Sequence, residues 1–195
     1  MDGSGQDETV FHGDRPGVPN DFSPDGRYLA VQLRKRAGVA TGEDIWMLPL
    51  FGDRKPFPFI ASEFEELAGA FSPDGKWFCY TSNESGRSEL YVVPFPGPGG
   101  KFQVSTGGSQ GGSFFKGGKE ILYGTLENEV VSVEMKEGAS GLEFGSPKLL
   151  FKFPPVSAVT ITPDGERILA ALLPQVTATS RVALVTGWTA GLEKK

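Results

Sequence analysis

The pattern with the most obvious chemical potential is Gly107-Gly108-Ser109-Gln110-Gly111, the G-x-S-x-G spacing that in hydrolases lifts a nucleophilic serine onto a sharp strand-to-helix turn. That chemistry needs a histidine base after the serine and a helix after the second glycine. The sole histidine, His12, lies far upstream, and nothing helical follows Gly111. Ser109 is therefore expected to be a loop residue ahead of a strand, and the chain to hold no catalytic residue. His12 has no second histidine, and no cysteine placed with it, to share a metal or general-base site, so it reads as structural or exposed. Gly117-Gly118-Lys119 is followed by Glu120 where a phosphate loop needs Ser or Thr, and its first glycine is missing. Asp25, Asp74 and Asp164 repeat as metal ligands would, but each sits inside a Pro-Asp-Gly turn that explains it without an ion. No metal and no cofactor are expected. Cys79, the one cysteine, stands between Phe78 and Tyr80 and reads as a small core residue that can form no internal disulfide.

Charge narrows the partners. A net charge of −5 with mixed signs gives no electrostatic footprint for nucleic acid. The densest basic run, Arg34-Lys35-Arg36, leads into Ala37-Gly38-Val39-Ala40-Thr41-Gly42 and reads as the rim of a solvated hairpin loop. No apolar stretch reaches the roughly 20 residues of a membrane-spanning helix, and the first residues are polar and acidic where a signal peptide is basic and then apolar. Asn83-Glu84-Ser85 matches a glycosylation sequon, which carries weight only in a secretory context.

What must position any surface is a repeat. Phe22-Ser23-Pro24-Asp25-Gly26-Arg27 recurs as Phe71-Ser72-Pro73-Asp74-Gly75-Lys76 and as Ile161-Thr162-Pro163-Asp164-Gly165-Glu166, with a degenerate copy at Phe114-Phe115-Lys116-Gly117-Gly118-Lys119. The steps of 49, 43 and 47 residues are close to the roughly 40–45 residues of a four-stranded propeller blade. Proline presets φ for the first central turn position, aspartate bonds its own backbone, and glycine accepts the positive φ that follows. Each motif is thus a structural hairpin turn built on Pro24, Asp25 and Gly26, on Pro73, Asp74 and Gly75, and on Pro163, Asp164 and Gly165. Apolar runs flank the turns, and a third strand recurs at Asp44, Glu89, Glu129 and Arg181. A proline- and charge-broken outer strand follows in three units. The 27 glycines, 15 prolines and 15 phenylalanines agree with many short strands and tight turns. The expected fold is all-β, a β-propeller of about four four-stranded antiparallel blades, whole or cut from a larger propeller. The blades are placed at 18–60, 64–106, 108–152 and 156–188, with 8–12 as a closing outer strand beside the last.

The repeat motif resembles the WD-like repeat of TolB-type β-propellers. The segments 83–92 and 94–108 and the ending Trp188-Thr189-Ala190-Gly191-Leu192 are similar to the propeller that follows the kinase domain in some bacterial serine/threonine protein kinases. The resemblance runs from about Asp2 to Leu192, departs from the pattern at Lys116-Gly117, and includes no kinase element. It implies a non-enzymatic module that binds or senses a protein or small ligand, as the C-terminal part of a larger bacterial signalling protein. The alternative is an accessory propeller of a peptidase or of a TolB-type periplasmic transport protein. Partners are otherwise undefined, apart from a homo-oligomer through exchanged terminal strands. The compartment follows the parent chain: extracytoplasmic if it hangs from a membrane-spanning kinase, cytoplasmic otherwise.

Overall fold

Trp77-Phe78-Cys79-Tyr80-Thr81-Ser82 is aromatic and β-branched and buried almost throughout, the composition of a strand covered on both faces. In a computed structural model of the chain, which describes residues 9–10, 13, 15–34, 42–97, 99–138, 141–153, 156–162, 167–172 and 181–186, this run is the second strand of an antiparallel sheet. Four such sheets follow one another along the chain. The first holds β1 (Gly17–Phe22), β2 (Tyr28–Leu33), β3 (Asp44–Pro49) and β4 (Phe57–Ile60). The second holds β5 (Glu66–Phe71), β6 (Trp77–Ser82), β7 (Glu89–Pro94) and β8 (Phe102–Gln103). In the third, β9 (Gly111–Phe115), β10 (Glu120–Gly124) and β11 (Glu129–Gly138) are joined by β12 (Gly141–Phe144) and β13 (Lys148–Lys152), both paired to β11. The fourth holds β14 (Val156–Ile161), β15 (Arg167–Leu172) and β16 (Arg181–Thr186). Among the described residues there is no α-helix, and so no helix long and apolar enough to cross a membrane.

The first three sheets stack face to face as the blades of a β-propeller do. Residues opposite one another in an antiparallel pair share a face, so the registers sort each blade into two apolar rows. Phe71, Phe78 and Val93 form one row of the second blade and pack with Ala30, Ile45 and Met47 of the first. Cys79 and Val92 form the other row and pack with Ile121, Val133 and Phe114 of the third. The inner strands of the second and third blades lie across the blade before them, β5 over β1, β2 and β3, and β9 over β5 and β6. Every blade thus has an upstream and a downstream face.

The turns that begin the blades share one hydrogen-bond circuit. The Ser23 hydroxyl donates to Asp25 Oδ1 at 2.6 Å and accepts the Tyr28 amide at 2.9 Å, and Asp25 Oδ1 accepts the Arg27 amide at 3.0 Å. Ser72, Asp74, Lys76 and Trp77 repeat this at 2.6, 3.1 and 2.9 Å. The Thr162 hydroxyl accepts the Arg167 amide in the same way at 3.1 Å, while Pro163, Asp164 and Gly165 lie outside the described residues. The Ser23 hydroxyl and the Arg27 amide hold the Asp25 carboxyl below its usual range. At Asp74 burial pulls upward, and the Ser72 and Lys76 donors outweigh it, so that carboxyl is also lowered. Gly26 and Gly75 take φ of 69° and 71°, a region costly for a residue with a side chain. A Cβ at Gly75 would stand 3.6 Å from Pro24 Cδ, with room to spare, so substitution there costs backbone strain alone. Gly75→Val should lower stability by about 1–2 kcal/mol. An unchanged urea midpoint would remove the turn from the list of structural determinants.

Three local features differ from expectation. The third turn is built differently: Lys116, Gly117 and Gly118 all take positive φ, of 50°, 67° and 87°, and Lys116 pairs with Glu120 at 2.8 Å where the other turns use an aspartate. β11 continues past Val133 to Gly138 and folds back as β12, a hairpin that the polar run Lys136-Glu137 concealed in the sequence. Thr9 and Val10, two of the five residues assigned to ring closure, belong to no strand, and Glu8, Phe11 and His12 lie outside the described residues.

Candidate functional site

Neither nucleophile singled out by its residue type is placed to react. Ser109 is buried. Its amide donates to the Ser88 carbonyl of the preceding blade at 2.8 Å, and its hydroxyl accepts the Gly111 amide at 3.2 Å. The serine thus ends an inter-blade connection ahead of β9. Glu66 stands at the same position ahead of the second motif, its amide bonded to the Glu43 carbonyl at 2.8 Å. Cys79 is fully buried, its thiol 3.5 Å from the Gly112 carbonyl oxygen, and burial pushes its pKa up to about 12. A thiol so held is inert at neutral pH. Among the described residues no group of three or more His, Cys, Asp or Glu side chains is placed to hold a metal.

Polar chemistry gathers at the end of the strands opposite the turns. Arg15 Nη1 lies 2.7 Å from Asp44 Oδ2 at the head of β3. Lys101 pairs with Glu84, and Gln32 donates to Glu43 while its own oxygen accepts the Ala68 amide at 3.3 Å. Glu66 is buried among these groups: its Oε1 accepts the Ser62 hydroxyl, and its Oε2 has no hydrogen-bond partner among the described residues. Burial raises the Glu66 pKa, the Ser62 donors pull it down, and the Asp44 and Glu84 charges add to the rise. Glu89 heads β7 as Asp44 heads β3 and is fully satisfied. It accepts the Gly108 amide at 2.9 and 3.0 Å and the Ser105 hydroxyl, and it faces Arg87 Nε at 2.9 Å. These bonds lock neighbouring strands and blades together. Sequence reasoning missed them because it took the heads of the third strands only as strand starts.

The arrangement that offers a surface is the upstream face of the first blade. Phe22, Leu29 and Leu48 share a row there, in the register that Phe71, Phe78 and Val93 occupy in the second blade. Phe71 is buried by the preceding blade at 6% exposure, whereas Phe22 in the same motif is 58% exposed. The opening lies at the inner strand, since Leu29 and Leu48 farther out along the row are buried. Glycines agree with this. Gly69 and Gly112, two residues before Phe71 and Phe114, are pressed by Ile45 and Leu90 of the preceding blades, whereas the residue in that place in the first blade is Asn20, with a full side chain.

No family model matches the sequence. Among solved structures the fold is similar to TolB from Acinetobacter baumannii, with a TM-score of 0.68 and 20% identity over 95% of this chain and 44% of that one. It is similar to the β-propeller domain of Cps50 (Swd1) from Myceliophteria thermophila, with a TM-score of 0.61 and 10% identity over 91% and 61% of the two chains. A prolyl endopeptidase follows, with a TM-score of 0.55 and 16% identity over 88% of this chain and 27% of that one. At such identities the likeness is one of fold, and this chain spans less than two thirds of each of these structures.

Proposed function

We propose that the chain is a non-catalytic β-propeller module that binds a partner through its blade surfaces, carried as the C-terminal part of a larger bacterial signalling protein. The observation that carries the reading is the contrast between Phe22, 58% exposed, and Phe71, 6% exposed. A surface used elsewhere in this chain to join blades is presented to solvent there, and it is this place in the blade-joining row, not exposure alone, that singles Phe22 out, since Leu126 and Leu149 are also exposed. The signalling context rests on the resemblance of segments 83–92 and 94–108 to kinase-associated propellers. The second reading, an accessory propeller of a peptidase or of a TolB-type transport protein, is supported by the blade architecture shared with prolyl endopeptidase and TolB.

Both readings make the chain itself inert, and chemical labelling tests that. A fluorophosphonate and iodoacetamide applied to the native chain should leave Ser109 and Cys79 unmodified by peptide mass spectrometry, with Cys79 alkylated once urea unfolds the chain. A fluorophosphonate adduct on Ser109 in the native state would overturn the proposal.

A further inference from the structure

Two carboxyl side chains are buried alike in the second blade, Glu66 at the start of β5 and Glu89 at the head of β7, each 1% exposed. Glu89 has the Gly108 amide, the Ser105 hydroxyl and Arg87 to hold its charge. Glu66 has the Ser62 hydroxyl on Oε1 and, among the described residues, no partner on Oε2 and no cation paired with it. Its surroundings are acidic. Asp44 faces it from β3 and Glu84 from the β6–β7 turn, and the cations there are committed, Arg15 to Asp44 and Lys101 to Glu84. Glu43, next to Asp44, takes the Gln32 side chain. Tyr80 on β6 stays neutral, because burial and then the Glu84 and Glu66 charges raise its hydroxyl.

Position gives this group leverage. Glu66 stands where β5 crosses onto the first blade: its amide donates to the Glu43 carbonyl at 2.8 Å, and along the same strand the Ala68 amide reaches Gln32 Oε1 at 3.3 Å and the Phe71 amide reaches Asp21 Oδ2 at 2.9 Å. An ionised carboxylate with one donor, shut away from water between two other acids, costs far more than the neutral acid in the same place. We propose that Glu66 is a proton-operated latch on the seam between the first and second blades, closed while the side chain carries its proton and loosened when the proton leaves. Burial first, and then the Asp44 and Glu84 charges, hold its pKa above the ordinary 4.5 in spite of the Ser62 donors. Glu66 therefore binds its proton more tightly folded than unfolded. The stability it contributes is complete below the unfolded pKa and is lost as pH rises through the folded one. Asp25, Asp74, Glu120 and Glu134 are lowered and act the opposite way, their contribution being lost only as pH falls. The latch is a property of the seam and stands apart from what the blades bind.

Carboxyl-carbon NMR of the native chain gives the first check: the Glu66 titration midpoint should lie above 4.5, and a midpoint at or below that value overturns the latch. Hydrogen exchange then locates the effect. Between about pH 5 and about pH 8, protection of the Glu66 and Ala68 amides, corrected for intrinsic exchange, should fall by up to about tenfold per pH unit above the folded pKa, the limit for one linked proton. Ser109, whose amide bonds the Ser88 carbonyl ahead of the third blade, should keep its protection over the same range. Glu66→Gln, neutral and of the same shape, should remove most of the pH dependence at Ala68 and flatten the fall of the urea midpoint. Adding Asp21→Asn should remove the remainder, since burial raises that carboxyl too. Protection at Glu66 that does not change with pH, an equal loss at Ser109, or a Glu66→Gln variant with the wild-type pH dependence overturns the proposal. Should that variant fail to fold, the NMR midpoint and the wild-type exchange profile still decide it.

Discussion

Replacing Gly112 by alanine should lower the stability of the chain by about 2–3 kcal/mol, the upper part of the range for forcing an extra group into a well-packed core. Gly112 lies in β9 where the third blade meets the second. A Cβ there would stand 2.8 Å from Leu90 Cδ2 and 2.9 Å from the Leu122 carbonyl oxygen, both closer than unstrained carbon contacts allow. Leu90 can shift only by disturbing the cluster it shares with Cys79, Val92 and Ile121. The Leu122 carbonyl belongs to the adjacent strand β10 and moves only if the ladder moves. Gly69, in the same place in the second blade, meets the Phe78 ring and Ile45 Cδ1. A Cβ there would stand 2.2 Å from Phe78 Cζ, and Phe78 is fully buried and held edge-to-face by Phe59 and Phe71, so Gly69→Ala should cost about as much. Urea denaturation gives the measure: the midpoint should fall for both Gly112→Ala and Gly69→Ala, with the slope unchanged in each. Equal midpoints for wild type and Gly112→Ala would mean that β9 does not press on the second blade as described.

The same glycines show what the sequence could and could not reveal. The Pro-Asp-Gly turns were legible because each is a local device. Proline, aspartate and glycine act within a few residues, and Gly26 and Gly75 take the positive φ those residue types announce. The hydroxyl that completes the circuit was in view as Ser23, Ser72 and Thr162 at one motif position, and its role becomes plain only when it is seen to accept the amide five residues on. The third turn was not legible, because Lys116 at a φ of 50° adopts a conformation that its residue type disfavours and that its surroundings must enforce. Least legible was the open face. Phe22 and Phe71 stand in the same local sequence, Phe-Ser-Pro-Asp-Gly, and differ in what lies across from them. Burial of that kind is set between blades, so no reading of one repeat could separate an interface phenylalanine from a solvent-facing one. Only the register, which aligns Leu29 with Phe78 and Leu48 with Val93, shows the two to be the same position.

Glu89→Ala should be comparably destabilising, by about 2–4 kcal/mol, from a different cause. The Glu89 carboxylate is buried at the head of β7 and takes every donor around it: the Gly108 amide with both oxygens, the Ser105 hydroxyl, and Arg87 at 2.9 Å. Alanine leaves the Gly108 N–H and the Ser105 hydroxyl in the interior without that acceptor, at about 1–3 kcal/mol for each group that stays unsatisfied. Arg87 adds little, because its side chain is largely exposed and regains water when the partner is lost. Ser105 also accepts the Leu90 amide at 2.8 Å, and that bond should survive, which keeps the loss below the sum of the separate penalties. Glu89→Gln separates charge from shape. Its amide oxygen still accepts from Gly108, but its NH2 group turns a donor toward a site built of donors, so an intermediate loss is expected. If glutamine were as stable as wild type, the carboxylate would be serving as a neutral acceptor and the ion pair with Arg87 would contribute nothing. If alanine were tolerated within about 0.5 kcal/mol, the range of an ordinary surface change, the circuit that ties β7 to the connection before β9 would have no structural role, and the account of how the second and third blades hold together would have to rest on the apolar row of Cys79, Val92 and Ile121 alone.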